Sequence, residues 1–249
     1  MTAAVAPVDP ALVLVAHGSR AAGGDDAAAA IGAALCARRP DQPMRLAYLS
    51  HGEPSLPEVL DELGREGVRD VVVVPLLLST GVHATTDIAD AVRAATAAWS
   101  QLVVRTSAPL GPDLLLVAAV RERLTEAGAS ARPGLSVVLA AAGSTDPAGV
   151  ADVEQTATML RAAAPYDEVT VGFVGGAEPD LEHAIATARR HGADTIAVVP
   201  YLLGEGHFTG IVRGAVGEDV VVADPLGAHE GVVDLVLVRF DATAEVVLS

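Results

Sequence analysis

Val71-Val-Val-Val-Pro-Leu-Leu-Leu-Ser-Thr-Gly-Val-His83, running on through Ala84-Thr-Thr-Asp-Ile88, decides the fold of this chain. Its Val-rich opening shows no polar alternation, so it reads as a strand buried on both faces, as in parallel sheets covered by helices. Pro75 has no N–H to give to a ladder, and pairing is expected to be interrupted there. The chain then turns at Ser79-Thr-Gly81 and presents His83 beyond the carboxyl end of the strand, at the mouth of the next helix. In open parallel α/β sheets, ligands bind along that edge.

The second half repeats this stretch in altered letters. Val198-Val-Pro-Tyr-Leu-Leu-Gly-Glu-Gly-His207 has the strand, the proline and the turn, with Pro200 placed 125 positions after Pro75. The same offset pairs Gly81 with Gly206, Glu53-Pro54 with Glu178-Pro179, Gly18-Ser19 with Gly143-Ser144, and Tyr48 with Phe173. A constant offset through separate segments means two copies of one unit.

Between these anchors, apolar strand runs alternate with helical stretches. Ala11–Ala16 is a strand ending at His17-Gly-Ser-Arg20, and an alanine-rich helix opens at Asp25-Asp26. Met44–Leu49 is the second strand, with Ser55 and Glu58 forming a capping box for the helix after it. The helix after the Val71 strand is expected from about Thr85, and Leu102–Thr106 is a fourth strand. Ala129-Ser-Ala-Arg-Pro-Gly134 has linker composition, and the pattern then restarts at Leu135. The expected fold is α/β: two tandem doubly wound parallel-sheet domains with flavodoxin-like strand order, related by a pseudo-two-fold repeat. The predicted domains are 1–131, carrying the active site, and 132–249, a degenerate repeat forming part of the cleft.

Composition excludes several chemistries. The net charge of −16 argues against nucleic acid or an anionic membrane as partner. Every basic residue is Arg, so there is neither a Schiff-base lysine nor a P-loop lysine. The single cysteine, Cys36, excludes an intrachain disulfide and a cysteine-cluster metal site. The start, Met1 to Asp9, lacks the basic and long apolar regions of a secretory leader, and no apolar run is long enough for a membrane span. A cytoplasmic protein, monomer or homodimer, is expected.

In strand order 2-1-3-4, strands one and three are neighbours and the winding reverses between them, opening a crevice at their carboxyl ends. His17 ends strand one, His83 follows strand three, and Glu53 follows strand two on the same edge. Two imidazoles and a carboxylate from three loops suit Fe, Co, Ni or Zn. Each also has a plainer reading. A loop histidine can be a surface residue, and Glu53 can serve the backbone before Pro54, as its surviving partner Glu178 suggests. His51 sits on a glycine turn and reads as solvated. In the second half, Ala142 replaces His17 and Phe208 replaces His83, with His207 one position short. That cleft has lost its pair and is expected to supply a wall, with Tyr201 and Phe208 as apolar surfaces. His183, His191 and His229 read as helix-face, helix-end and loop residues. Gly204-Glu-Gly206 with Gly210 has the wrong spacing for a dinucleotide fingerprint. Ser19 and Ser144 read as caps of the helices that follow.

His17-Gly-Ser19, Glu53-Pro-Ser55, and Pro75 to His83 with Asp87-Ile88 together resemble the sirohydrochlorin chelatase and anaerobic cobaltochelatase family, the class II chelatases. The degenerate copy, Ala142-Gly-Ser144 to Gly206, resembles the second half of the two-domain members. Ala89 stands where the family pattern has a proline, and His51-Gly52 before Glu53 is also a departure. The resemblance implies ATP-independent insertion of a divalent metal into a tetrapyrrole, with no permanently bound cofactor. Fe2+ insertion into sirohydrochlorin for sirohaem is favoured, with cobalt insertion on a cobalamin route as the variant. It assigns His17, His83 and Glu53 to metal binding and proton transfer. Arg20 and Ser19 become candidates for holding substrate carboxylates. A non-catalytic metal or tetrapyrrole carrier and a metal-free binding module are the readings from other classes.

Overall fold

In the computed structural model, residues 10–18 and 26–247 are described. The first half runs β1 (Ala11–Ala16), α1 (Asp26–Arg38), β2 (Met44–Tyr48), α2 (Leu56–Arg65), β3 (Asp70–Pro75), α3 (Val82–Ala98), β4 (Val103–Thr106) and α4 (Leu114–Glu126). The second runs β5 (Leu135–Ala141), α5 (Pro147–Ala163), β6 (Glu168–Phe173), α6 (Leu181–Arg190), β7 (Thr195–Tyr201), α7 (His207–Ala215), β8 (Val220–Val222) and α8 (Glu230–Ala244). The described residues form two four-stranded parallel sheets, ordered β2-β1-β3-β4 and β6-β5-β7-β8. This is the tandem doubly wound architecture expected from the sequence.

The central strands are buried on both faces, as their unbroken apolar runs require. Val13, Val15, Val71 and Val73 face α2 and α3, while Leu12, Leu14, Val72 and Val74 face the core shared with α1 and α8. Pro75 is the last residue of β3, paired with Val15 after β4 has already left the sheet at Thr106, so its missing N–H interrupts no interior ladder. Ser55 precedes α2 as predicted, and the Glu58 carboxylate accepts its N–H (2.8 Å) and its hydroxyl (2.7 Å), which lowers the Glu58 pKa.

The offset of 125 holds from β1 to the start of the third helix of each half, Val82 and His207. It then shortens. Val104 pairs with Val71 and Val220 with Ile196, so the offset there is 116. All but one of the lost residues come out of the third helix, which has 17 residues as α3 and 9 as α7. At the new offset Asp113 corresponds to His229, and each caps its last helix: Asp113 Oδ1 accepts from Leu115 N–H (3.0 Å) and His229 Nδ1 from Gly231 N–H (3.1 Å). His229 thus lies in the loop, as expected, and acts there as the cap of α8. Its Nε2 also meets Glu122 Oε2 at 3.0 Å, which joins α8 to α4. Ser144 does not cap α5; its hydroxyl accepts from Asp146 N–H (3.0 Å), and Asp146 caps the helix through Ala148 N–H (3.0 Å).

The last helices are exchanged. α8 packs on β3, β4 and α1 of the first half, α4 packs on β7 and α5 of the second, and α4 and α8 pack on each other. A single apolar core therefore runs from Leu12 and Val72 through Leu116 and Val236 to Leu139 and Val199. Charged pairs frame the exchange. Arg39 grips Asp241 with two bonds (2.7 and 2.6 Å), and Arg239 reaches the carbonyls of Pro109 and Leu110 (3.0 Å each) and Asp113 (3.1 Å). Arg105 of β4 pairs with Asp70 and donates to the carbonyls of Thr243 and Ala244 at 2.9 and 2.8 Å. Arg105→Ala leaves those groups without their partner, and we expect about 2 kcal/mol of lost stability in a denaturant melt.

Candidate functional site

Pairing continues past the strand ends and fixes the loops of the first sheet's carboxyl edge. Leu49 N–H donates to Ala16 O (3.0 Å), Ser50 N–H to His17 O (3.1 Å), and Leu76 N–H to Val15 O (2.8 Å). Helix α1 leaves β1 on one face while α3 leaves β3 on the other, so the winding reverses between these neighbours. His17 stands exposed at the end of β1. Glu53 stands exposed in the β2–α2 loop. His83 lies in the first turn of α3, because this helix starts at Val82 rather than near Thr85; its side chain is outside the description. The three predicted residues thus share one sheet edge. Ser19 and Arg20 lie outside the described residues. Among the described residues, which do not include the His83 side chain, no three His, Cys, Asp or Glu side chains converge on one metal position.

Gly18 shows why His17 is followed by glycine. Its φ is +85°, and a Cβ there would lie 1.4 Å from the His51 carbonyl oxygen. Gly143 repeats the arrangement at φ +94°, 1.5 Å from the Gly175 carbonyl oxygen, although its half has Ala142 and Phe208 in place of His17 and His83. The glycine therefore serves loop packing rather than chemistry, and it seats His17 against the loop bearing His51 and Glu53. Gly18→Ala is expected to cost at least ~2 kcal/mol in a thermal melt, because both the backbone and the facing loop must move.

The Glu-Pro loops also match. Both Glu53-Pro54 and Glu178-Pro179 are cis, and Tyr48 N–H to Pro54 O (3.0 Å) is repeated by Phe173 N–H to Pro179 O (2.9 Å). Glu178 Oε2 accepts from Asp180 N–H at 3.1 Å, so in the second half this carboxylate serves the backbone.

The two residues expected to form an apolar wall separate. Phe208, in the first turn of α7, is 40% exposed and lies 5.5 Å from the His207 ring. Ile211 on the same helix and Val82 at the start of α3 are also exposed, so these two helix openings carry apolar surface. Tyr201 is a correction. It is only 2% exposed, and its hydroxyl donates to the Leu78 carbonyl (3.3 Å) with Thr156 Oγ1 also at 3.3 Å. Burial pushes its pKa well above the usual phenol value, keeping it a neutral donor. A strand-end tyrosine looks like a cleft wall in sequence, but its ring is used inside, between the halves. Sequence reasoning also missed Asp152, which accepts Thr80 N–H at 2.7 Å across the same junction; its signal was a carboxylate on the core side of a helix.

The sequence model of the CbiX family matches residues 11–127 and 136–243, nearly all of both halves. The chain belongs to the CbiX family. A sirohydrochlorin ferrochelatase of Priestia megaterium is 29% identical over 232 residues, covering 89% of this CbiX chain and 85% of the relative. Another, from Bacillus subtilis (strain 168), is 28% identical and covers 84% and 78%. A sirohydrochlorin cobaltochelatase of Methanothermobacter thermautotrophicus is 35% identical over 77 residues, 31% of this chain and 53% of its own length. Among solved structures, SirB from Bacillus subtilis with Fe3+ has a TM-score of 0.85 at 27% identity, over 95% of this chain and 96% of that one. SirB from Bacillus subtilis subspecies spizizenii in complex with cobalt has a TM-score of 0.81 at 27% identity, over 96% of each chain. The break in the CbiX match, residues 128–135, falls on the linker between the halves.

Proposed function

We propose that this chain is a sirohydrochlorin chelatase, inserting Fe2+ into sirohydrochlorin for sirohaem without ATP. The observation that carries this reading is the match over both halves to chains named sirohydrochlorin ferrochelatase and to SirB with Fe3+. Insertion must strip water from the metal and remove two protons from pyrrole nitrogens. His17 and His83 are proposed to hold the incoming ion, and a neutral imidazole released from the metal can accept a pyrrole proton. Glu53 is proposed as the third metal-binding or proton-accepting group. Phe208 is proposed to lie against the flat face of the macrocycle, and Arg20 and Ser19 to bind its carboxylates. The metal is a substrate here, and no permanently bound cofactor is invoked.

Residues 1–131 are proposed as the unit that carries the reaction and 132–249 as the supporting repeat. The reaction is proposed to be cytoplasmic, and the net charge of −16 supports one that involves neither nucleic acid nor an anionic membrane surface. Among the described residues no helix is long and apolar enough to cross a membrane. Cobalt insertion is the second reading, favoured by the cobaltochelatase matches and by SirB in complex with cobalt. The test is anaerobic mixing of apo protein, sirohydrochlorin and Fe2+ or Co2+, followed by absorbance. Insertion faster than the protein-free control is expected, and the metal with the higher kcat/KM decides between the readings. A rate equal to the control with both metals would overturn the proposal.

A further inference from the structure

The second half keeps a polar cluster at positions where the first half is apolar. Asp152, Thr156 and Tyr201 correspond, at the offset of 125, to Ala27, Ile31 and Leu76. Thr156 is 0% exposed and Tyr201 2%. Hydroxyls buried this deeply in one copy of a repeat need a polar destination. For the Tyr201 hydroxyl it lies in the other half, and Thr156 finds its partners beside it. Tyr201 OH donates to Leu78 O, Asp152 Oδ2 accepts Thr80 N–H, and Thr156 Oγ1 links the two through Asp152 O (3.0 Å) and Tyr201 OH. Leu78 to Gly81 belongs to the segment between β3 and α3, and α3 carries His83 in its first turn. Packing closes the same contact. A Cβ on Gly149 would lie 2.4 Å from Thr80 O, and one on Gly111 2.6 Å from the Tyr201 hydroxyl.

The arrangement is not reciprocal. The counterpart of Leu78 is Leu203, whose carbonyl accepts Gly227 N–H (2.8 Å) from its own half. The counterpart of Thr80 is Glu205, gripped by Arg213 with two bonds of 2.6 Å, also within its half. The copy without the histidine pair holds its own loop and, in addition, the loop of the copy that has it.

We infer that Tyr201 and Asp152 are positioning residues for metal insertion: through the backbone of Leu78 and Thr80 they fix the first turn of α3 and so the place of His83. The inference rests on the chelatase reading for its kinetic consequence, but not for the anchoring itself.

The experiment compares wild type, Tyr201→Phe, Asp152→Ala and Asp152→Asn in the full chain. It measures metal insertion, melting temperature, and amide hydrogen exchange over 78–83 with strand β6 as an internal reference. Phe keeps the ring and Asn keeps an acceptor, so both variants spare the fold. We expect kcat to fall on the order of tenfold in Tyr201→Phe and Asp152→Ala, with KM for the metal within about twofold. Asp152→Asn should restore most of the rate. Exchange at 78–83 should rise at least about tenfold in the two damaged variants while β6 is unchanged. Unchanged kcat in both damaged variants would overturn the inference, and so would an Asn variant as slow as the Ala variant. A wild type without insertion activity defeats the functional reading instead. The exchange data then decide the anchoring alone, and unaltered exchange at 78–83 rejects it.

Discussion

His17→Ala and His83→Ala are each expected to lower the protein-dependent rate of metal insertion into sirohydrochlorin about 100-fold, the scale of a lost proton acceptor or metal-positioning group. The double variant should be little slower than either single one, because two groups handling one ion act as a unit. Stability should barely respond. His17 is exposed at the end of β1, and substitutions at such positions shift stability by about 0.5 kcal/mol or less. Anaerobic absorbance kinetics paired with a thermal melt separate these effects. Glu53→Gln provides the gradation: a loss of about tenfold marks a proton acceptor, and a rate like wild type assigns Glu53 to the loop backbone, as Glu178 is in its own half. Wild-type rates in both histidine variants would move the chemistry elsewhere on the molecule.

Removing α8 should unfold the half that carries the histidines. Val232, Val233, Leu235, Val236 and Phe240 are each at most 3% exposed. The helix they belong to covers β3 and β4, strands encoded more than a hundred residues earlier. At roughly 2 kcal/mol for each buried apolar side chain, the loss is on the order of 10 kcal/mol. That equals the whole stability of an ordinary domain, about 5–15 kcal/mol. A chain ended before Glu230 is therefore expected to lose its cooperative melting transition and to bind a hydrophobic dye. The fragment 1–131 should fail in the same way, and a separate polypeptide 132–249 added in trans should restore it. A sharp melt from fragment 1–131 alone would show that its sheet needs no cover from α8.

The outcome traces how far residues announce their neighbours. The uninterrupted Val71 run could only be a two-face strand, and the recurrence of Pro75, Glu53-Pro54 and Gly18 at one offset identified the repeat before any strand order was known. His17, Glu53 and His83 follow from topology, since the ends of parallel strands share an edge whatever the intervening helices do. The exchange of α4 and α8 was not legible, because Val232 to Phe240 would satisfy either sheet equally well and periodicity does not say which. Tyr201 was misread for a related reason. An aromatic ring at a strand end is apolar in both settings, and only the partners of its hydroxyl distinguish an interior brace from a cleft wall. The change of offset after α7 was not legible, because the sequence match between the halves fades after Gly206, where the spacing changes.

The crossed last helices bear on how such a chain can diverge. In a pair of identical single-unit chains, every substitution is stamped on both partners, so neither can give up its catalytic residues while the other keeps them. Joining the units in one polypeptide, with each finishing the other's fold, removes that constraint. One copy becomes free to drift in its chemistry but never in its shape, since its last helix remains a wall of its sibling. The lost histidines of the second copy are what such a bargain leaves behind.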